Sequence, residues 1–246
     1  MNIVAIIQAR CGSTRFPNKV FAELANKPLI WHIVNRLKFS KKITDIVLAT
    51  TDNPLDDKLI DWAISNDVTF FRGNEDDVLN RYAEAAKFAN ADIIARVTAD
   101  DPFKDPLLID TVIEGLIKTN ADFACNNNPP TYPEGLDVEV FTKDAILNAD
   151  EKANTPFERE HVTQYFYHNP DKFRIVNVNN KEDISHLRWT IDTEQDYQMA
   201  KKVYSLLYKS DNEIFYMNDI LNLLNQHPEI SKINIDVARS AMYKLK

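Results

Sequence analysis

Apolar residues return along this chain in two alternating rhythms. Short, mostly apolar runs at residues 3–8, 43–49, 68–71 and 92–97 are each followed by a stretch where apolar positions recur every three or four residues, at 28–38, 55–65, 76–88 and 106–118. Short apolar runs predict buried strands, and the longer 3.6-residue pattern predicts amphipathic helices. Local signals agree. Pro28 suits a first helical turn, and Asp76 with Asp77 favours the positive end of the third helix. Strands joined by crossover helices predict an α/β fold, a mostly parallel sheet between two helical layers with right-handed connections.

The rhythm changes after Cys125. Residues 126–133 (Asn-Asn-Asn-Pro-Pro-Thr-Tyr-Pro) make a turn-rich break. Residues 136–141 alternate like a strand with one polar face, 144–149 suit a short helix, 157–168 carry helical spacing and 173–178 alternate again. This reads as a smaller lobe of mixed or antiparallel strands, about 126–185, inserted into one continuous domain spanning 1–246. A strand at 186–191 is expected to rejoin the main sheet. A long amphipathic helix at 194–208 and terminal helices at 217–225 and 235–244 follow.

Composition narrows the class. With 44% hydrophobic and 27% charged residues the chain has ample material for a core, and its net charge of −8 argues against a nucleic-acid or anionic-membrane surface. No apolar run reaches the ~18 residues of a membrane helix, and the first residues lack the basic n-region of a signal peptide. Cys11 and Cys125 give neither a disulfide framework nor a zinc pattern, which fits a reducing cytoplasm.

Against this acidic background the loop after the first strand stands out. Residues 10–19 read Arg-Cys-Gly-Ser-Thr-Arg-Phe-Pro-Asn-Lys. Backbone N–H groups around Gly12 and Ser13 can form an anion nest, and Arg10, Arg15 and Lys19 supply charge-assisted bonds to phosphate. In open sheets of this kind ligands sit outside the carboxyl ends of the strands, where this loop lies. Cys11 would be an acidified thiol if it lay among the arginines. The chain has only four glycines, where average usage gives about 17. Gly12, Gly73 and Gly135 fall at non-helical positions that suit positive φ or close ligand approach; at Gly73 and Gly135 a plain turn serves as well.

Two further strands end in acids. Asp100 and Asp101, in Thr98-Ala99-Asp100-Asp101-Pro102, are hard oxygen donors that suit Mg²⁺ beside phosphates; a helix-leading acidic loop without metal is the alternative. Asp192, in Arg188-Trp189-Thr190-Ile191-Asp192-Thr193, could equally cap the helix that begins near Glu194. A basic loop and two acids on one rim are the equipment of phosphoryl or nucleotidyl transfer. Arg159, Glu160 and His161 cluster near a helix start in the lobe, where a plain surface helix is the alternative. Arg72 beside Gly73 either touches a nucleotide or is solvated. His32, flanked by apolar residues, reads as structural.

The pattern Gln8-Ala9-Arg10-x-Gly12-Ser13-Thr14-Arg15-x-Pro17-x-Lys19 resembles the opening signature of the cytidylyltransferases. These include the 3-deoxy-manno-octulosonate and acylneuraminate enzymes, and the likeness is greatest to the spore coat polysaccharide biosynthesis branch. Residues 49–52, 71–82, 98–102, 135–139, 159–163 and 188–193 match in order. The resemblance implies a nucleotide-diphospho-sugar transferase fold of the glycosyltransferase-A type. It also implies transfer of CMP from CTP to a sugar acid or sugar phosphate, with Mg²⁺ and release of pyrophosphate. By position, Ala9, Arg10, Gly12, Ser13, Arg15 and Lys19 would bind nucleotide, joined by Arg72 and Gly73. Arg10, Arg15, Lys19 and Asp100 would be catalytic, and Asp100 and Asp192 would hold the metal. Asp137, Glu139, Arg159, Glu160 and His161 are the acceptor-facing candidates, and a homodimer formed through the lobe is expected. Asp101 departs from relatives that carry Cys or Glu there, so it could share or alter the metal. Two other readings stay open: a metal-dependent glycosyltransferase using a nucleotide sugar, and a silent nucleotide-sensing protein.

Overall fold

The computed structural model describes residues 1–13 and 15–239. The chain runs through β1 (Ile3–Gln8), the short strands β2 (Glu23–Leu24) and β3 (Lys27–Pro28), α1 (Leu29–Leu37), β4 (Asp45–Thr51), α2 (Asp57–Ser65), β5 (Thr69–Gly73), α3 (Val78–Phe88), β6 (Ile93–Thr98) and α4 (Pro106–Thr119). Then come β7 (Phe123–Cys125), β8 (Glu139–Thr142), α5 (Lys143–Lys152), α6 (Pro156–His161), α7 (Gln164–His168), β9 (Ile175–Asn177), α8 (Glu194–Leu207), α9 (Met217–Gln226) and α10 (Pro228–Ser231). No helix among the described residues is long and apolar enough to cross a membrane.

Seven strands form one sheet in the order β5-β4-β1-β6-β8-β7-β9. The first four are mutually parallel, while β8 lies antiparallel between β6 and β7, and β9 is parallel to β7. The 126–185 segment therefore contributes β8 and β9 to the main sheet. Strand alternation divides the core. Ile3, Ala5 and Ile7 of β1 face α1, α2, α4 and α8, whereas Val4 and Ile6 face α3, α5 and α7. A sheet buried on both faces needs apolar residues at both parities, which is why its strands read as nearly continuous apolar runs. This is the expected three-layer, mostly parallel α/β architecture.

The chain passes from β1 outward through β4 to β5, then returns to place β6 on the other side of β1. That reversal opens a crevice at the carboxyl ends of β1 and β6. The loops beginning at Ala9 and Ala99 rise on either side of it.

Several expected elements differ. Residues 186–191 form no strand and do not rejoin the sheet, because both edges of β6 are already taken by β1 and β8. The segment pairs with loops instead. Trp189 N–H donates to the Glu134 carbonyl at 2.7 Å and Ile191 N–H to that of Asp100 at 2.8 Å. The helical stretch at 157–168 is split into α6 and α7 by Val162, which has φ 47° and ψ −64°. A γ-turn closes there from Thr163 N–H to the His161 carbonyl, a strained geometry for a β-branched residue. The terminal helix expected at 235–244 does not form over 235–239, and its remainder lies outside the described residues.

Gly135 makes the closest approach between loops. Its φ is +101°, and a Cβ built there would lie 2.6 Å from Thr190 N and 2.7 Å from the Trp189 carbonyl carbon. A backbone collision cannot be relieved by a rotamer change. Gly135→Ala is expected to lower unfolding stability by at least about 2 kcal/mol, read from the urea midpoint. An unchanged midpoint would show that the 134–136 and 188–190 loops are free to separate.

Candidate active site

A cleft of about 820 Å³ opens at the crevice, lined by the carboxyl ends of β1 and β6, the loops that follow them, the start of α3 and the α6–α7 turn. Arg10, Arg15, Asp100, Asp137, Glu139, Arg159, Glu160, His161 and Asp192 all line it. The centre of the arrangement is Lys19. Asn18 turns into the left-handed region (φ 54°) and starts a short 3-10 turn, Lys19–Phe21, whose Val20 is buried. This aims the Lys19 ammonium at two carboxylates from distant parts of the chain. Nζ donates to Asp100 Oδ2 at 2.8 Å, to Asp192 Oδ1 at 3.0 Å and to the Ile191 carbonyl at 3.1 Å. Arg15 reaches the same Asp192 oxygen at 3.0 Å.

Burial works against the charge on Lys19, but Asp100 and Asp192 outweigh it and raise its pKa. Burial likewise opposes ionisation of Asp100, yet Lys19, Thr98 and Lys104 hold its carboxyl down at about 2. Asp101 points the other way. It accepts from Thr98 Oγ1 at 2.8 Å and pairs with the buried Lys104 ammonium at 2.8 Å. Burial pushes its pKa up to about 6 against the pull of Lys104, and Asp100 adds to the rise. The two adjacent acids thus have separate cations.

The other loop cations are also paired. Arg10 meets Glu75 at 3.2 Å, and Glu75 in turn accepts from Asn53 Nδ2 at 3.0 Å. Cys11 is not among the arginines. Its side chain is buried, its N–H donates to Asp56 Oδ1 at 2.7 Å, and burial together with Asp56 pushes the thiol up to about 12. Ala9 is buried with its N–H on the Ala49 carbonyl, and Ser13 N–H is turned to the Cys11 carbonyl at 2.9 Å. Gly12 lies beside Glu75. Arg72 is exposed and is not among the residues that line the cleft. Its guanidinium binds the Thr51 and Asn53 carbonyls and pairs with Asp57 at 2.9 Å, while the missing side chain of Gly73 leaves room for Arg81.

On the opposite wall Glu139 is buried and shared. It pairs with Arg96 and accepts from Thr163 Oγ1 at 3.0 Å and Tyr167 OH at 3.1 Å. Arg159 grips Asp77 with two bonds, at 2.9 and 2.6 Å, and Asp150 at 2.6 Å, which ties α6 to α3 and α5. His161 packs its ring edge on Phe157. Burial lowers its pKa against Glu160, and Arg96 lowers it further. Gln8, Arg96, Lys104, Asn127 and Thr163 also line the cleft, and none of them was assigned to the site from sequence. The available signal was Arg96, a cation inside an otherwise apolar central strand.

Among the described residues no three His, Cys, Asp or Glu side chains form a ready-made metal cage. Asp100 and Asp192 nevertheless fit a hard divalent cation. Mg²⁺ is commonly held by one or two carboxylates plus substrate phosphates, and here one ammonium already bridges the two carboxylates. Acids also outnumber bases along the lining.

A parallel sheet with its switch-point crevice, a basic loop on one side and two carboxylates on the other define a nucleotidyltransferase-type site. The family model for cytidylyltransferases matches residues 4–234, and the chain belongs to that family. It is an enzyme of the nucleotidyltransferase class. An uncharacterized protein of Methanocaldococcus jannaschii is 38% identical over 98% of both chains. The spore coat polysaccharide biosynthesis protein SpsF of Bacillus subtilis is 31% identical over 93% of this chain and 96% of its own. Among solved structures, a cytidylyltransferase from Leptospira borgpetersenii superposes with a TM-score of 0.88 at 34% identity, over 94% of this chain and 96% of its own.

Removing the bridging ammonium leaves two facing carboxylates. Lys19→Met is expected to cost about 2–3 kcal/mol of unfolding stability, below the roughly 3–5 kcal/mol of a fully buried pair because Asp100 keeps solvent contact. Added millimolar Mg²⁺ should raise the melting temperature of this variant more than that of the wild type. In the wild type, the stability contributed by Asp100 is complete above its ordinary pKa of 3.8 and is lost as pH falls through about 2. A variant as stable as wild type, with no added response to Mg²⁺, would contradict the bridging role.

Proposed function

We propose that this enzyme transfers CMP from CTP to a sugar acid or sugar phosphate and releases pyrophosphate, with Mg²⁺ as cofactor. The observation that carries this reading is the convergence of Lys19, Arg15, Asp100 and Asp192 at one rim of the cleft. An acceptor oxygen attacks the α-phosphorus in line, the bond to the α,β-bridging oxygen breaks, and its electron pair leaves with pyrophosphate. A phosphate acceptor brings its own anionic oxygen and needs no strong base. A hydroxyl acceptor must give up a proton, which the neutral imidazole that burial favours at His161 can take.

Arg10, Arg15 and Lys19 neutralise charge on the triphosphate and on the leaving group. Asp100 and Asp192 would hold Mg²⁺, which supplies charge neutralisation of the phosphates when bound. With a cation on the two carboxylates, the Lys19 ammonium would be available to bond phosphate. Asp137, Glu139, Glu160 and His161 face the space left for the acceptor, with Arg159 fixing the helix that carries two of them. The name of the spore coat relative supports a surface-polysaccharide sugar as acceptor. A homodimer and a cytoplasmic setting, where CTP is made, belong to the same reading.

Pyrophosphate release is the test. With a panel of nucleoside triphosphates and sugar acids or sugar phosphates, release is expected with CTP and Mg²⁺. Asp100→Asn and Asp192→Asn should each reduce it at least about a hundredfold. Near-normal turnover in both would remove the carboxylates from the mechanism, and nucleoside phosphate released from a sugar nucleotide would indicate glycosyl transfer instead.

A further inference from the structure

Asp192 uses its two oxygens differently. Oδ1 faces the cleft, toward Lys19 and Arg15, whereas Oδ2 is held from behind by Arg188 Nη2 at 3.1 Å. Arg188 is almost fully buried and surrounded by acids. Nη1 pairs with Glu134 at 2.8 Å, and Nε and Nη2 reach the two oxygens of Asp196 at 2.9 and 3.0 Å. Asp196 also accepts from the N–H groups of Asp192 and Thr193, at 3.1 and 3.0 Å, through the capping box that starts α8.

One more group completes this cluster. Asn234, eight residues past the end of α9 and 4% exposed, donates from Nδ2 to the Arg188 carbonyl at 3.0 Å and to Asp196 Oδ1 at 2.9 Å. A segment far from the cleft in sequence is thereby wired to the back of a cleft carboxylate. A free Asp side chain rotates about two bonds. Here the rotation is fixed at Oδ2, and the backbone is fixed at the residue itself.

Resting on the CTP and Mg²⁺ reading above, we propose that Arg188, held by Glu134, Asp196 and Asn234, is a positioning residue that presents Asp192 Oδ1 to a divalent cation, so that the segment after α9 sets the site's affinity for metal-bound nucleotide. Three carboxylates around one guanidinium exceed what charge balance requires. The surplus directs Asp192 outward, because Asp196 takes Nε and shares Nη2 while Glu134 pairs with Nη1. Lysine in its place keeps the charge but lacks the planar fork that serves several carboxylates together.

The experiment measures Mn²⁺ binding to the protein with CTP and no acceptor, by the loss of the free Mn²⁺ EPR signal, alongside CTP binding in EDTA. Arg188→Lys and Asn234→Ala are each expected to weaken Mn²⁺ binding about tenfold or more, the range typical of groups that orient metal ligands. CTP affinity in EDTA should stay within about twofold, because the basic loop is untouched; a merely structural defect would lower both affinities together. Asn234→Ala leaves every charge in place and carries the test should Arg188→Lys fail to fold. Wild-type Mn²⁺ affinity in both variants would overturn the positioning role alone. Absence of Mn²⁺ binding by the wild type would overturn the metal reading and this role with it.

Discussion

Two carboxylates that begin 92 positions apart share one ammonium, and the rest of the site follows from that contact. Two carboxylates turned to one point need a cation between them to offset their repulsion. Lys19 is that cation, and three local features bring it there: the left-handed turn at Asn18, the buried Val20 and the Ile191 carbonyl that accepts its third bond. The same economy governs the surrounding side chains. Arg10 has Glu75, Arg15 has Asp192, Lys104 has Asp101 and Arg96 has Glu139. Each of these cations is paired from within the protein. A bare polyanion would have to compete with these acids for every cation, whereas on the proposed reading an anion arriving with a divalent cation would exchange partners, phosphate to the cations and metal to the carboxylates. On that reading the pairing suits a metal-bound nucleotide better than a free one.

The fold of the first half was legible because its strands are buried on both faces. β1 needed no correction, and β4 and β5 slid by about two residues along runs whose pairing decides the ends. Tertiary context defeated the local pattern elsewhere. Residues 186–191 alternate like a strand, yet the sheet offers no vacant edge beside β6, and the segment seats Trp189 and Ile191 against the α8 layer instead. Residues 157–168 have helical spacing, yet Val162 breaks the helix so that Thr163 can reach Glu139. No propensity forecasts a β-branched residue at positive φ. The short pair β2–β3 has only two residues in each strand, too few to leave a periodic signal.

The candidate site was legible where charged residues follow a strand, as at Arg15, Lys19 and Asp100, and at Asp192, which follows a segment with the pattern of a strand but not the structure. It was less so where a residue type has two uses. An arginine next to a glycine suggests a ligand, but Arg72 spends its donors on the β4 end and Asp57. A cysteine between cations suggests an activated thiol, but loop geometry sends Cys11 inward to Asp56. Asp101 and Asp100 are neighbours with opposite environments, a distinction set by which way each side chain leaves the backbone. Residues 188–196 conceal the most. The spacing of Arg188, Asp192 and Asp196 at intervals of four is a helix-like signal in a segment that is not helical before Glu194.

What fixes the separation of the two cleft carboxylates is backbone, not side chain. Ile191 N–H donates to the Asp100 carbonyl at 2.8 Å, so the residue before Asp192 is stitched directly to Asp100. Trp189 and Glu134 add a second stitch, and Gly135 allows it by letting its loop lie flat on the Thr190 backbone. The stitched loops rest on Trp189 and Ile191, both buried against the helical layer. On the proposed reading the site holds a small hard cation, which tolerates little play, since coordination weakens sharply once donors drift. Placing the carboxylates on two loops would normally sacrifice that precision. Joining the loops by main-chain hydrogen bonds restores it, and leaves Lys19, on its flexible stem, as the component free to move when a ligand enters.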